Sequence, residues 1–152
     1  SDNVTGVQTC ALPILRDLLA YLQEKGLNAL FILSPNTMTE EKQSQYNYIA
    51  DIIAPTGYRF LNLNDYYEEL DMDFETDFDD YGGHTNAFGM EKCSAFLGEY
   101  LKTHYSFTDK RGQKEYESWD RAAELWEEQT ETAKQIILDK KARKEFKVIE
   151  EE

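Results

Sequence analysis

Residues Asp79-Asp80-Tyr81-Gly82-Gly83-His84-Thr85-Asn86-Ala87-Phe88-Gly89 place a histidine shortly after a carboxylate pair and immediately ahead of an apolar-periodic helical run. Those types in that order can build a general base. A carboxylate that accepts a hydrogen bond from one imidazole nitrogen fixes the tautomer and leaves the other nitrogen to take a proton. The positive end of the following helix disfavours the imidazolium and keeps the base ready. A base of this kind acts by activating a nucleophile, so the next question is which hydroxyl or thiol it could serve.

The stretch His84-x-Asn86-x-x-Gly89, with acids before it and Lys92 and Phe96-Leu97-Gly98-Glu99-Tyr100-Leu101 after it, resembles the last conserved block of the SGNH/GDSL hydrolases. In that family the block supplies the Asp and His of a Ser-His-Asp arrangement. The likeness extends to Leu30-Phe31-Ile32-Leu33-Ser34-Pro35 and Tyr58-Arg59-Phe60-Leu61-Asn62-Leu63, which look like the final strands of that fold, and spans residues 15–120. The family's acid stands three residues ahead of the histidine, a position held here by Tyr81. An extension at Gly82-Gly83 restores the geometry, because glycine tolerates a positive φ. Asp80 is therefore the first choice for the orienting acid and Asp79 the second. The plainer alternative is that the acids form a solvated loop and His84 caps the next helix.

The resemblance implies a partial three-layer α/β/α, flavodoxin-like fold with a parallel sheet. It also implies a serine esterase, O-acyltransferase or deacetylase acting on an acyl or acetyl ester, carbohydrate esters included, in an extracytoplasmic or cell-envelope setting. No cofactor or metal is implied. The family's nucleophile lies in a Gly-Asp-Ser turn, and two further blocks complete its oxyanion hole. None of Ser34, Ser44, Ser94, Ser106 or Ser118 has that setting. The chain thus reads as the C-terminal part of an enzyme, inactive by itself. The competing reading is a noncatalytic interaction module that uses the acidic loop or the C-terminal helix.

The leader points the same way. Val4 to Ile14 reads codon by codon as the in-frame translation of a common sequencing-adapter oligonucleotide, so residues 1–14 are expected to be an artefactual, disordered leader. Residues 15–107 are expected to form the hydrolase-like α/β piece, and 108–152 a linker with a long amphipathic helix.

A chain of 152 residues, 41% hydrophobic and 13% aromatic, supports one core. Its net charge of -14 argues against nucleic-acid phosphates or an anionic membrane surface as partners. No apolar run is long enough to span a membrane. With Cys10 inside the leader, Cys93 has no disulfide partner and reads as a small buried hydrophobe rather than a nucleophile.

The elements that must position His84 follow from periodicity. Leu15, Leu18, Leu19 and Leu22 recur at helical spacing up to Gly26, and Ala29 to Leu33 reads as a strand covered on both faces. Thr37-x-x-Glu40 has the form of a capping box for a helix presenting Tyr46, Ile49, Ala50 and Ile53 and stopping at Pro55-Thr56-Gly57. Tyr58 to Leu63 is the second strand. Helices and strands in alternation imply a parallel sheet, whose sites collect at the carboxyl ends of the strands, where the loop bearing His84 emerges. If the strand at 29–33 has lost a neighbour, its apolar edge is expected to drive self-association.

The alternating acids Asp71, Asp73, Glu75, Asp77 and Asp79 invite a calcium test. A loop counted from Asp77 ends on Phe88 where a bidentate Glu is required, and one counted from Asp71 ends on Gly82. Both registers fail, and a solvated acidic loop is the better expectation. Zinc lacks a second histidine or a neighbouring cysteine. Past the linker at Thr108 to Gly112, Tyr116, Trp119, Ala123, Trp126, Thr130, Ala133 and Ile137 form a narrow apolar seam expected to pack on the parent domain.

Overall fold

The computed structural model describes the backbone of residues 11–79 and 82–150, and the side chains of 12–79 and 82–142. Over these residues the chain is mixed α/β. Helix α1 (Ala11–Glu24) precedes strand β1 (Leu30–Leu33), helix α2 (Glu40–Ile53), strand β2 (Arg59–Asn62), helix α3 (Ala87–His104) and the long helix α4 (Glu117–Glu150). The two strands pair in parallel, with Leu30 opposite Arg59 and Leu33 opposite Asn62.

Each boundary has a local cause. α1 begins at Ala11, ahead of the expected start at Leu15, and it carries Pro13 in its first turn, where no intrahelical N–H is lost. Residues 11–14 of the expected leader are therefore helical; the rest of it, 1–10, lies outside the described residues. Past the end of this helix, Gly26 takes a positive φ of 61°.

The capping box at Thr37 does not form. Thr39 caps α2 instead, its hydroxyl accepting the Lys42 N–H at 3.2 Å. The reason is tertiary: the Thr37 N–H donates to the Gly82 carbonyl at 2.7 Å, which holds Thr37 outside the helix. Ala54 to Thr56 tighten into a single 3-10 turn that closes on Gly57 at φ 80°, the predicted stop.

The core lies between β2, the turn that follows it and α3. Leu61, Leu63 and Leu70 are buried, and Leu30, Tyr66, Cys93, Phe96, Leu97 and Tyr100 pack around them. Ile53 of α2 and Leu19 of α1 are the buried apolar residues of the first two helices. β1 departs from its expected coverage: its apolar run is continuous, but Ile32 is 43% exposed. Among the described residues β1 pairs with β2 alone, and its side chains are only partly covered. Among the described residues no helix is long and apolar enough to cross a membrane.

α4 docks along α3. Thr130 is buried in the contact, and Lys134, only 14% exposed, bridges Glu91 of α3 at 2.7 Å and Glu131 at 2.9 Å while lying over the Phe88 ring. The partners hold the Lys134 ammonium above its ordinary range, Glu91 foremost. Trp126 lines the cleft between the two helices, whereas Trp119 points to solvent at 74% exposure.

Since Ile53 is fully buried, Ile53→Ala is expected to lower unfolding free energy by about 2–4 kcal/mol, against less than about 1 kcal/mol for Leu138→Ala on the exposed side of α4. Urea unfolding followed by far-UV circular dichroism measures both. Equal effects would mean that α2 is not part of the cooperative core.

Candidate functional site

The loops leaving the two strands are tied together at the sheet's carboxyl edge. The Asn36 N–H donates to Asn64 Oδ1 at 2.9 Å, and Asn64 Nδ2 reaches back to the Ser34 carbonyl at 3.3 Å. The Tyr67 hydroxyl donates to the Asn36 carbonyl at 3.1 Å. The bond from Thr37 to Gly82 then fastens the loop that carries His84 to the same edge. A side chain at Gly82 would be strained there. Its φ is 90°, and a Cβ would stand 2.3 Å from Thr37 Oγ1 and 2.8 Å from the Phe74 ring.

The acidic segment closes on itself through a narrow neck. Phe78 and Thr85 form an isolated antiparallel bridge, and the Asp79 N–H donates to the His84 carbonyl at 3.0 Å. Asp79 and His84 therefore stand opposite one another across the neck, both solvent-exposed. Asp80, the first choice for the orienting acid, and Tyr81 lie outside the described residues. The next pair down the neck joins the Asn86 N–H to the Asp77 carbonyl at 2.8 Å.

Asn86, rather than His84, caps α3. Its Oδ1 accepts from the Phe88 and Gly89 N–H groups while its Nδ2 donates to the Thr76 carbonyl at 2.7 Å. One side chain thus ends the loop and starts the helix. Gly89 permits the contact, for a Cβ there would meet the Asp77 carbonyl oxygen at 2.4 Å.

Under the neck lies the group that sequence reading assigned only to a failed calcium register. Asp77 is 1% exposed. Its Oδ2 accepts the Lys92 ammonium and the Asp73 N–H, each at 2.8 Å, and its Oδ1 accepts the Thr76 hydroxyl at 3.3 Å. Lys92 also donates to the Asp71 carbonyl. Asp71 adopts a left-handed φ of 50°, which turns that carbonyl toward the lysine's reach. The ammonium thus stands among oxygens that an acidic loop could offer a metal ion, and no cluster suited to a metal occurs among the described residues. Asp77 holds the Lys92 ammonium above its ordinary value, chiefly by the hydrogen bond and despite opposing burial.

A hint of this pair was present in the spacing. Asn86, Gly89 and Lys92 recur every three residues, which puts cap, glycine and lysine on one side of a helix, and an isolated glycine within a helical pattern signals close approach. Cys93 sits beside it. Burial, then Asp77, pushes its thiol up, which disfavours the thiolate that a nucleophile needs. His104 stacks on Tyr100 at 4.1 Å and donates from Nδ1 to the Tyr100 carbonyl at the end of α3. Ser94 lines the cleft between α3 and α4, and Ser34 lies just past β1.

A second cleft, about 520 Å³, opens beside the neck. Phe74, Phe78, Asp79 and Asn86 form one wall and Ile137, Lys140 and Lys141 of α4 the other. Tyr67, Phe74 and Phe78 stack in series, 5.5 and 4.9 Å between centroids, and Lys141 donates to the Glu75 carbonyl at 2.5 Å. No family model matches the chain, and no curated protein or solved structure matches it significantly.

Lys92→Met leaves a buried carboxylate without its counter-ion and is expected to cost about 3 kcal/mol of stability. Asp77→Asn is expected to cost less, because Lys92 is 31% exposed and can turn to water. The lysine's pKa is raised in the fold, so its contribution is complete below the ammonium's ordinary value near 10.5 and is lost as pH rises through the raised one. Urea unfolding of the three proteins between neutral and strongly alkaline pH measures this. A Lys92→Met protein as stable as the parent would remove the pair from the account.

Proposed function

We propose that this chain carries the general base and its orienting acid of an SGNH/GDSL-type serine hydrolase, an esterase, O-acyltransferase or deacetylase acting on an acyl or acetyl ester. The single observation that supports it best is the placement of His84. It is exposed at the neck of a loop fastened to the carboxyl edge of a parallel strand pair, with Asp79 directly across and Asp80 next in the chain. The mixed α/β order is compatible with a partial three-layer, flavodoxin-like domain.

In this reading His84 takes the proton of a serine hydroxyl as that oxygen attacks the ester carbonyl, and returns it to the leaving alcohol. Asp79 or Asp80 holds the ring and favours the transient imidazolium. The serine and the oxyanion donors come from polypeptide beyond these 152 residues. The cleft between Phe74, Phe78 and α4 adjoins the base and offers an apolar wall with lysines at the rim, room for an acyl group or a sugar ring.

The chain alone is expected to hydrolyse short-chain aryl esters no faster than its His84→Ala variant, since a lone imidazole is a weak catalyst. A longer polypeptide containing the preceding segment is expected to react with a fluorophosphonate probe at a serine. His84→Ala in that protein should lower turnover at least about a thousandfold. Robust His84-dependent turnover by the short chain would show that it holds its own nucleophile. A longer protein whose labelling and turnover ignore His84 would sink the assignment.

A further inference from the structure

The cleft between α3 and α4 holds about 500 Å³, a size common among sites for small ligands, and shares no lining residue with the cleft beside His84. Met90 of α3 and Trp126 of α4 supply apolar surface to it. Trp126 is 53% exposed, so its indole is open to a partner. Thr130 is the unusual member. Only 8% exposed, it lines the cleft, and its hydroxyl has no hydrogen-bond partner among the described residues. The Thr132 hydroxyl, by contrast, donates to the Glu128 carbonyl one turn back. A buried hydroxyl without a partner costs free energy, and a ligand that supplies the missing bond recovers it.

The charge around that hydroxyl says what the ligand carries. Among the described residues Glu91, Glu127 and Glu131 line the cleft and no cation does. Lys134 stands beside it and is shared between Glu91 and Glu131. Three carboxylates thus meet one ammonium, and Glu127 has no ion-pair partner among the described residues. Glu127 and Thr130 are three apart on α4, so carboxylate and hydroxyl stand on one side of the helix, with Trp126 next to them. An ammonium group fits such a place: its N–H groups donate to the threonine oxygen and to carboxylate, and the indole face attracts positive charge. The apolar surface of Met90 and Trp126 adds a preference for an amine with an aryl or alkyl body.

We propose that the α3–α4 cleft binds a small primary ammonium ion carrying an aryl or alkyl body, with Thr130 Oγ1 and the Glu127 carboxylate as acceptors and Trp126 against the body. The site is independent of the chemistry proposed for His84. Its carboxylates are exposed to water, so affinity is modest, with a dissociation constant on the order of 1 mM for a ligand of about nine heavy atoms.

The full chain with Trp119→Phe keeps Trp126 as its single tryptophan, and titrating it with phenylethylammonium chloride in about 0.15 M salt reads the cleft by fluorescence. Saturable quenching is expected. Glu127→Gln should raise the dissociation constant at least about fivefold, and Thr130→Val, which keeps the branched shape, at least about threefold. Thr130→Ser, which keeps the hydroxyl, should bind as the parent does. Glu124→Gln, which removes the same charge from α4 outside the cleft lining, should change the constant less than about twofold. The N,N,N-trimethyl form of the probe has no N–H and should bind at least about fivefold more weakly, and hydrocinnamate, its carboxylate counterpart, should not saturate. The proposal is overturned by any of five results: no saturation with phenylethylammonium up to about 50 mM, equal losses in Glu124→Gln and Glu127→Gln, a Thr130→Val protein that binds undiminished or no worse than Thr130→Ser, equal binding of the trimethyl form, or saturation by hydrocinnamate.

Discussion

A carboxylate taken out of water must be met by donors, and in this protein the carboxylate is Asp77. Its oxygens collect Lys92 of α3, the Asp73 N–H and the Thr76 hydroxyl, while its carbonyl holds the Asn86 N–H. Two loop residues, the cap of α3 and a lysine within α3 are thereby referred to one point. An uncompensated charge in that position costs far more than the pair gains over water, so the arrangement acts as a constraint on geometry more than as a source of stability. Everything around His84 inherits its position from this point: the bridge at Phe78 and Thr85, the neck at Asp79, and the start of α3 at Asn86.

The sheet contributes less mass than direction. Its two strands run parallel, so both send their following loops to the same edge, where the Asn64 side-chain amide holds the Asn36 N–H and the Ser34 carbonyl and the Tyr67 hydroxyl donates to the Asn36 carbonyl. Gly82 brings the acidic loop into that set. A general base carried on a loop is useful only if the loop has few alternatives, and here a buried ion pair at its base and a backbone bond near its tip remove most of them.

α4 plays two parts. One face closes the cleft beside the candidate base through Ile137 and Lys141, and is held to α3 by Lys134 between Glu91 and Glu131. The opposite face leaves Leu125 and Ile136 half exposed beside the polar Gln129 and Thr132.

The sequence by itself determined the order and type of the elements, because each is written locally: apolar residues at helical spacing in α1 and α3, the β-rich runs around Leu30 and Phe60, the stop at Pro55-Thr56-Gly57, the long seam of α4. It also determined that a histidine follows acids ahead of a helix. What only the tertiary structure decided are the choices among local equivalents. Thr37 and Thr39 both precede acids, and Thr39 became the cap because Thr37 was taken by Gly82. Five alternating acids look alike in sequence, yet Asp77 alone among them is buried, because Lys92 lies fifteen residues away and reaches it only when α3 folds back over the loop. The continuous apolar run of β1 signalled cover on both faces, yet among the described residues nothing buries Ile32, which is 43% exposed. Periodicity reports which side of an element is apolar; which partner arrives to cover it, and which charge meets which, depends on contacts between residues far apart in the chain.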